Sequence, residues 1–273
     1  MSQILDRVLS AARQLGASDV HLKAGLPPIF RIKGELRTVR DVPALTREAI
    51  AGFAAHMMND KQKAQFEDAL DLDLAYGTPD GVRYRANVFQ QRGAVGMVLR
   101  LIPPEVPPFD RLNLPQTVLQ LTENSRGVIL VTGVTGSGKS TTLAAMVDYI
   151  NTQNAYHIVT IEDPIEYTFR DKRSVVNQRE IGFDTQSFSR ALRAALRQDP
   201  DVVLVGAMRD PETASIAMTA AETGHLVLST LHTSDATETV NRIISMYPSH
   251  QQGQARLTLA SVLRGVISQR LLP

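Results

Sequence analysis

The early part of the chain alternates apolar and polar residues, whereas the later part runs in apolar blocks. Ile4, Leu5, Val8, Leu9, Ala12 and Leu15 recur at helical spacing, which predicts an amphipathic first helix. "DVHLK", "IFRI" and "LRTV" follow, separated by Pro27-Pro28 and by Gly34, and read as strands, the last two as a hairpin. "TREAIAGFAAHMM" predicts a helix with Thr46 as its N-cap. "LDLAY", "VRYRANVFQ" and "AVGMVLRLI" then alternate or run apolar, as strands of an antiparallel sheet do. The pattern predicts an α+β domain over residues 1–102.

Pro103, Pro104, Pro107, Pro108 and Pro115 crowd the next stretch. Proline fixes φ and restricts its predecessor, so residues 103–118 are expected to form a stiff connector. Beyond it the rhythm changes. "GVILVTG", "HIVTIED", "SVVNQ", "VVLVG" and "HLVLSTLH" read as strands, with "KSTTLAAMVDYINT" and "SFSRALRAALR" as helices among them. Strands alternating with helices imply a parallel sheet wrapped by helices, an α/β domain over residues 119–273.

Composition narrows the partners more than the fold. The 273 residues carry a net charge of +1, which gives no electrostatic footprint for nucleic acid. The absence of cysteine rules out disulfides and thiolate zinc sites within these residues and fits a reducing compartment. No apolar run is long enough to span a bilayer, and Asp6, Arg7 and Arg13 interrupt any signal-peptide core. The expectation is a cytoplasmic protein that does not insert into a membrane.

One motif carries specific chemistry. "GVTGSGKST" fits G-x-x-x-x-G-K-[ST] at every fixed position, between a strand and a helix. Gly133, Thr135, Gly136, Ser137 and Gly138 form a loop whose N–H groups can wrap a phosphate chain at a helix N-terminus. Lys139 can reach the outer phosphates, the Ser140 hydroxyl can ligate Mg²⁺, and Thr141 completes the motif. ATP and Mg²⁺ are the implied ligands. "TIEDPIEY" places Glu162, Asp163 and Glu166 at a strand exit, where carboxylates can orient or deprotonate a water. The competing reading is a solvated Asp-Pro turn. His225 precedes the strand of "GHLVLSTLHTSDA" and His232 leaves it, on the side of the phosphate loop.

The spacing of these elements resembles the secretion and type IV pilus superfamily of hexameric ATPases. Its Walker B signature is matched in "LRQDPDVVLVGAMRD" by Leu196, Arg197, Pro200, Asp201, Gly206, Arg209 and Asp210. "TIEDPIEY" corresponds to its Asp-box and "TGHLVLSTLHT" to its His-box. "GASDVHLKAGLPPIFRIKGELR" and "VVNQREIGFDT" look most like the pilus-retraction subgroup. The resemblance implies a PAS-like N-terminal domain, a RecA-like P-loop ATPase core and a homohexamer. It further implies a motor that retracts pili for twitching motility at the inner-membrane base of the pilus machine, with a platform protein as partner. It also suggests that Arg83, Arg85 and Arg100 meet the γ-phosphate, against the alternative of a solvated strand face.

Two departures from the family pattern stand out. The sequence stops at "SQRLLP", so the family's further C-terminal helices are absent from it. Ala207 occupies the position of the Walker B glutamate, which implies ATP binding with impaired hydrolysis. The intact signature around it favours a hydrolysis-blocking substitution over a site in which Glu166 takes the role. Two other readings remain at this stage: a RecA-like nucleic-acid translocase, and a nucleotide-binding structural or regulatory subunit that never turns over.

Overall fold

The computed structural model describes every residue except Met1, Asp41, Pro104 and Pro273, and only the backbone of Ser2. Pro104 of the proline-rich stretch and the outermost residues of both expected domains therefore lie outside the described residues. The chain divides into two compact units, Met1–Pro104 and Glu105–Pro273.

In the first unit α1 (Ser2–Gln14), β1 (Ala17–Lys23), β2 (Ile29–Ile32) and β3 (Glu35–Thr38) come first. Helices α2 (Arg47–Met57) and α3 (Asp60–Ala69) follow, then β4 (Asp71–Gly77), β5 (Arg83–Gln91) and β6 (Ala94–Leu101). The six strands form one sheet in the order β3-β2-β1-β6-β5-β4, every neighbouring pair antiparallel. Leu5 and Leu9 of α1 and Ile50 and Phe53 of α2 are buried with Val20, Leu22, Tyr84, Ala86, Val88 and Leu99 of the sheet. Alternation places these residues on one face and sends Asp19, His21, Arg85 and Arg100 to the other.

Thr46 caps α2 as expected, its side chain accepting from the Ala49 N–H. Helix α3 has no counterpart in the apolar pattern, because none of its residues is buried. A reciprocal capping box between Asn59 and Gln62 starts it instead.

Of the proline-rich connector, the part beyond Pro104 belongs to the second unit. It includes a 3₁₀ turn at Phe109–Arg111, and Phe109 packs on that unit's core. The connector is thus partly built into the second unit rather than uniformly extended.

The second unit runs α4 (Gln116–Thr122), β7 (Gly127–Thr132), α5 (Lys139–Gln153), β8 (His157–Glu162) and β9 (Val175–Glu180). It continues with α6 (Phe188–Ala195), β10 (Val202–Val205), α7 (Pro211–Glu222), β11 (Leu226–Leu231), α8 (Ala236–Ser245), α9 (Gln252–Val262) and β12 (Leu263–Ser268). The sheet order is β12-β7-β11-β10-β8-β9, parallel throughout. Val128, Leu130, Val159 and Val203 pack against α6, α7 and α9 on one face. Ile129, Val131, Ile158, Leu204 and Leu228 pack against α5 on the other. Both faces are covered, which accounts for the unbroken apolar runs of these strands.

Candidate functional site

Four strands of the parallel sheet deliver their carboxyl ends to one edge. Strand β7 runs into the phosphate loop and β8 ends at Glu162. Strand β10 leads into Gly206 and Ala207, and β11 into His232. Open α/β sheets hold ligands at this edge. A cleft of about 530 Å³ lies there, lined among others by Gly138, Lys139, Glu162, Glu166, Ala207 and His232.

The loop is shaped by its glycines. Gly136 and Gly138 have φ of +80° and +90°, conformations that L side chains rarely adopt. Gly133 has φ of +142°, and a Cβ there would collide with the Gln269 carbonyl oxygen. Lys139 is buried, and its Nζ donates to the Gly133 and Val134 carbonyls, each at 2.8 Å. Burial pushes its ammonium pKa down, opposed by the Glu166 charge. The Ser137 hydroxyl is buried and, among the described residues, has no hydrogen-bond partner. Thr135, Ser140 and Thr141 line the cleft. Thr141 Oγ1 also lies 2.9 Å from the Tyr167 hydroxyl. A cation, the unpartnered Ser137 hydroxyl and a loop turned through positive φ at Gly136 and Gly138 into a helix N-terminus form a donor set that fits a magnesium–polyphosphate.

The carboxylates differ in their surroundings. Burial pushes Glu162 above the ordinary glutamate range, while hydrogen bonds from Thr160 (2.6 Å) and Gln178 (3.1 Å) partly offset it. Asp163 is exposed and sits 4.0 Å from Arg209. Glu166 is exposed at the cleft, near enough to Lys139 to act on its charge. His232 is pushed down by burial and by the charges of Lys139 and Arg209, so its imidazole is neutral near pH 7.

Ala207 is held from both sides. The Gly206 N–H donates to the Ile161 carbonyl at 2.7 Å, and the Thr230 hydroxyl donates to the Gly206 carbonyl at 2.6 Å. A Cβ on Gly206 would come within 3.3 Å of both the Ile161 oxygen and the Glu162 Cα, so β8 and β10 exit in close contact. Position 207 is therefore fixed in the cleft wall. Its methyl group offers no acceptor.

Not every expected residue meets there. Gly133 and Ser137 support the loop without lining the cleft. His225 sits at the opposite end of β11 and bonds through Nδ1 to the Ala220 carbonyl at 2.8 Å, because it precedes the strand that His232 follows. Arg83, Arg85 and Arg100 belong to the first unit. There Arg100 Nε lies 2.8 Å from Asp19, which also faces Arg31, and Arg85 lies 3.7 Å from Asp73. Among the described residues Arg83 has no ion pair. Leu271 lines the cleft and Gln269 touches the loop, although neither carries a motif. Pairing of β12 with β7 brings them there, and no local pattern announces that pairing.

All 273 residues match the protein family described as "Type II/IV secretion system protein". The chain belongs to that family. It is 46% identical over 268 residues to "Type IV pilus retractation ATPase PilT" of Pseudomonas aeruginosa, covering 98% of this chain and 78% of the relative. It is 45% identical over 245 residues to "Twitching motility protein" of Neisseria gonorrhoeae, covering 90% of this chain and 65% of the relative. A crystal structure of the pilus retraction motor PilT with bound ADP superposes with a TM-score of 0.93 at 52% identity, covering 98% of this chain and 78% of that one. The resemblance to the pilus-retraction subgroup of secretion ATPases, and the α/β P-loop fold it implied, both hold. Among the described residues no helix of this family member is long and apolar enough to cross a membrane.

Proposed function

We propose that this chain is the ATP-binding subunit of a homohexameric motor that powers type IV pilus retraction, with turnover held low by Ala207. One observation carries the reading: the Lys139 loop, Glu162, Glu166, His232 and position 207 converge in one cleft at the carboxyl edge of the sheet. The motor works in the cytoplasm, at the inner-membrane base of the pilus machine, against a platform protein.

Each residue has a role that its surroundings support. The loop N–H groups and Lys139 bind the phosphates, Lys139 exchanging carbonyl partners for phosphate oxygens. Mg²⁺, when bound, supplies charge neutralisation, with the Ser140 hydroxyl as its protein ligand. Glu162 serves as the candidate base: it stands at the exit of β8 in the cleft wall, and burial raises its carboxyl above the ordinary glutamate range. Glu166 and Asp163 shape the field at the cleft mouth. Neutral His232 can donate to an outer phosphate oxygen without repelling Lys139. Arg83, Arg85 and Arg100 serve as candidate arginine fingers in the assembled ring.

Ala207 supports a second reading, a nucleotide-binding subunit that does not turn over. Calorimetric titration with ATP and Mg²⁺, followed by phosphate-release assays, separates the possibilities. Binding with slow release fits the proposal, absence of binding overturns it, and binding with no release even after Ala207→Glu favours the inert subunit.

A further inference from the structure

Gln269 follows β12 and touches the phosphate loop at both of its ends. Its backbone N–H donates to the Thr132 carbonyl at 2.8 Å, where β7 stops and the loop begins. Its side-chain Oε1 accepts from the Thr142 hydroxyl at 2.8 Å, in the first turn of α5, where the loop has ended. Between these points its carbonyl oxygen would collide with a Cβ on Gly133, and its Nε2 lies 2.8 Å from the place a Gly138 Cβ would occupy. Ser268 adds a contact between hydroxyls, 3.2 Å from Thr132 Oγ1. The two glycines thus serve a second purpose besides backbone freedom, since they admit Gln269 against the loop. Gln269 itself does not line the cleft, whereas Leu271, two residues on, does.

We propose that Gln269 is a positioning residue that braces the phosphate loop from behind, tying the end of β7 to the start of α5. The inference rests on the nucleotide-site reading above. A loop wrapped on a phosphate chain must hold several N–H groups convergent, and without support it would pay for that order on every binding event. The brace supplies the order in advance, through one backbone bond and one side-chain bond, neither of which involves Lys139. Thr142 is a buried residue, so loss of the Gln269 side chain takes away the partner its hydroxyl has in this fold.

The test is a double-mutant cycle read as ATP and ADP affinity on the full chain. Gln269→Ala and Thr142→Val each remove the same bond, and each is expected to weaken nucleotide binding by about 5- to 10-fold, a loss of the size one hydrogen bond carries. The double variant should bind no more weakly than either single one, because the bond can be lost only once. Thr142→Ser retains the hydroxyl and should bind within about twofold of the parent chain. Thermal unfolding is followed in parallel, so that a general loss of fold is told apart from a loss of loop order. Unchanged affinity in Gln269→Ala, or additive losses in the double variant, would overturn the brace. A parent chain that does not bind ATP overturns the nucleotide reading itself, which is a different result.

Discussion

In the first sheet Tyr84, Ala86 and Val88 point into the core while Arg85 and Asn87 between them stay outside it; in the second, every residue of β7 and β11 is buried. The contrast sets where each sheet can do chemistry. An antiparallel sheet covered on one side has a whole face left for polar groups, and here that face carries Asp19, Arg31, Arg85 and Arg100. A parallel sheet covered on both sides has no face left. Its chemistry is confined to the strand exits, where Lys139, Glu162, Ala207 and His232 collect. Polar groups in the first unit are spread across a surface, and in the second they are concentrated in a cleft.

If that contrast is sound, substitutions at the strand exits have larger effects than those on the open face. The largest is expected for Glu162→Gln in a chain that also carries Ala207→Glu. Loss of the base should lower kcat by about 10²-fold or more with little change in KM. Because Glu162 is raised, turnover of the parent Ala207→Glu chain should climb with pH through a value above the ordinary glutamate range, where the carboxylate becomes charged. A flat pH profile, or an active glutamine variant, would move the base elsewhere.

Lys139→Ala removes the buried cation from the loop and should weaken ATP binding by roughly 100-fold, the worth of a charge-assisted contact to phosphate. Calorimetry showing unchanged affinity would contradict the placement of phosphates in this loop.

On the open face, Arg83→Ala, Arg85→Ala and Arg100→Ala are compared in the same Ala207→Glu background. At least one should lower turnover at saturating ATP by about tenfold or more, a modest effect beside the roughly 10³-fold or more that a dedicated arginine finger contributes to phosphoryl transfer. Three normal rates would leave these arginines as a solvated strand face.

The smallest effect concerns stability rather than rate. Burial alone would raise the Asp19 pKa, but hydrogen bonds from Arg100 and Ser18 and the charges of Arg100 and Arg31 outweigh it and hold it below the usual range. A depressed carboxylate contributes stability above its unfolded pKa and loses it as pH falls through the folded one. Asp19→Asn should therefore destabilise the first unit by about 2 kcal/mol at neutral pH, shrinking toward acid. Denaturant titrations at pH 7 and in acid check both the size and the trend.

What could be read in advance follows the same division. The parallel strands were legible because burial on both faces leaves continuous apolar runs such as Val202–Val205. The phosphate loop was legible because its chemistry demands fixed residues within a few positions. Helix α3 was not, since it buries nothing and is started by the Asn59–Gln62 box. Gln269 was hidden for another reason. Its partners Thr132 and Thr142 are brought to it by the pairing of β12 with β7, and a contact so distant along the chain leaves no local trace. The two histidines of the His-box stretch show the limit of proximity in sequence, for one strand's length carries His225 to the edge away from the cleft.

The central claim is that this cleft binds ATP and that position 207 limits what happens next. Steady-state phosphate release is measured for the parent chain and for Ala207→Glu at equal protein concentration, with assembly state matched by light scattering. A carboxylate at 207 acts where the water is positioned and charge develops, so the account predicts that turnover rises by at least about 10²-fold while ATP affinity changes little. Equal rates in the two chains would contradict it, and would assign the water to Glu162 or Glu166 alone.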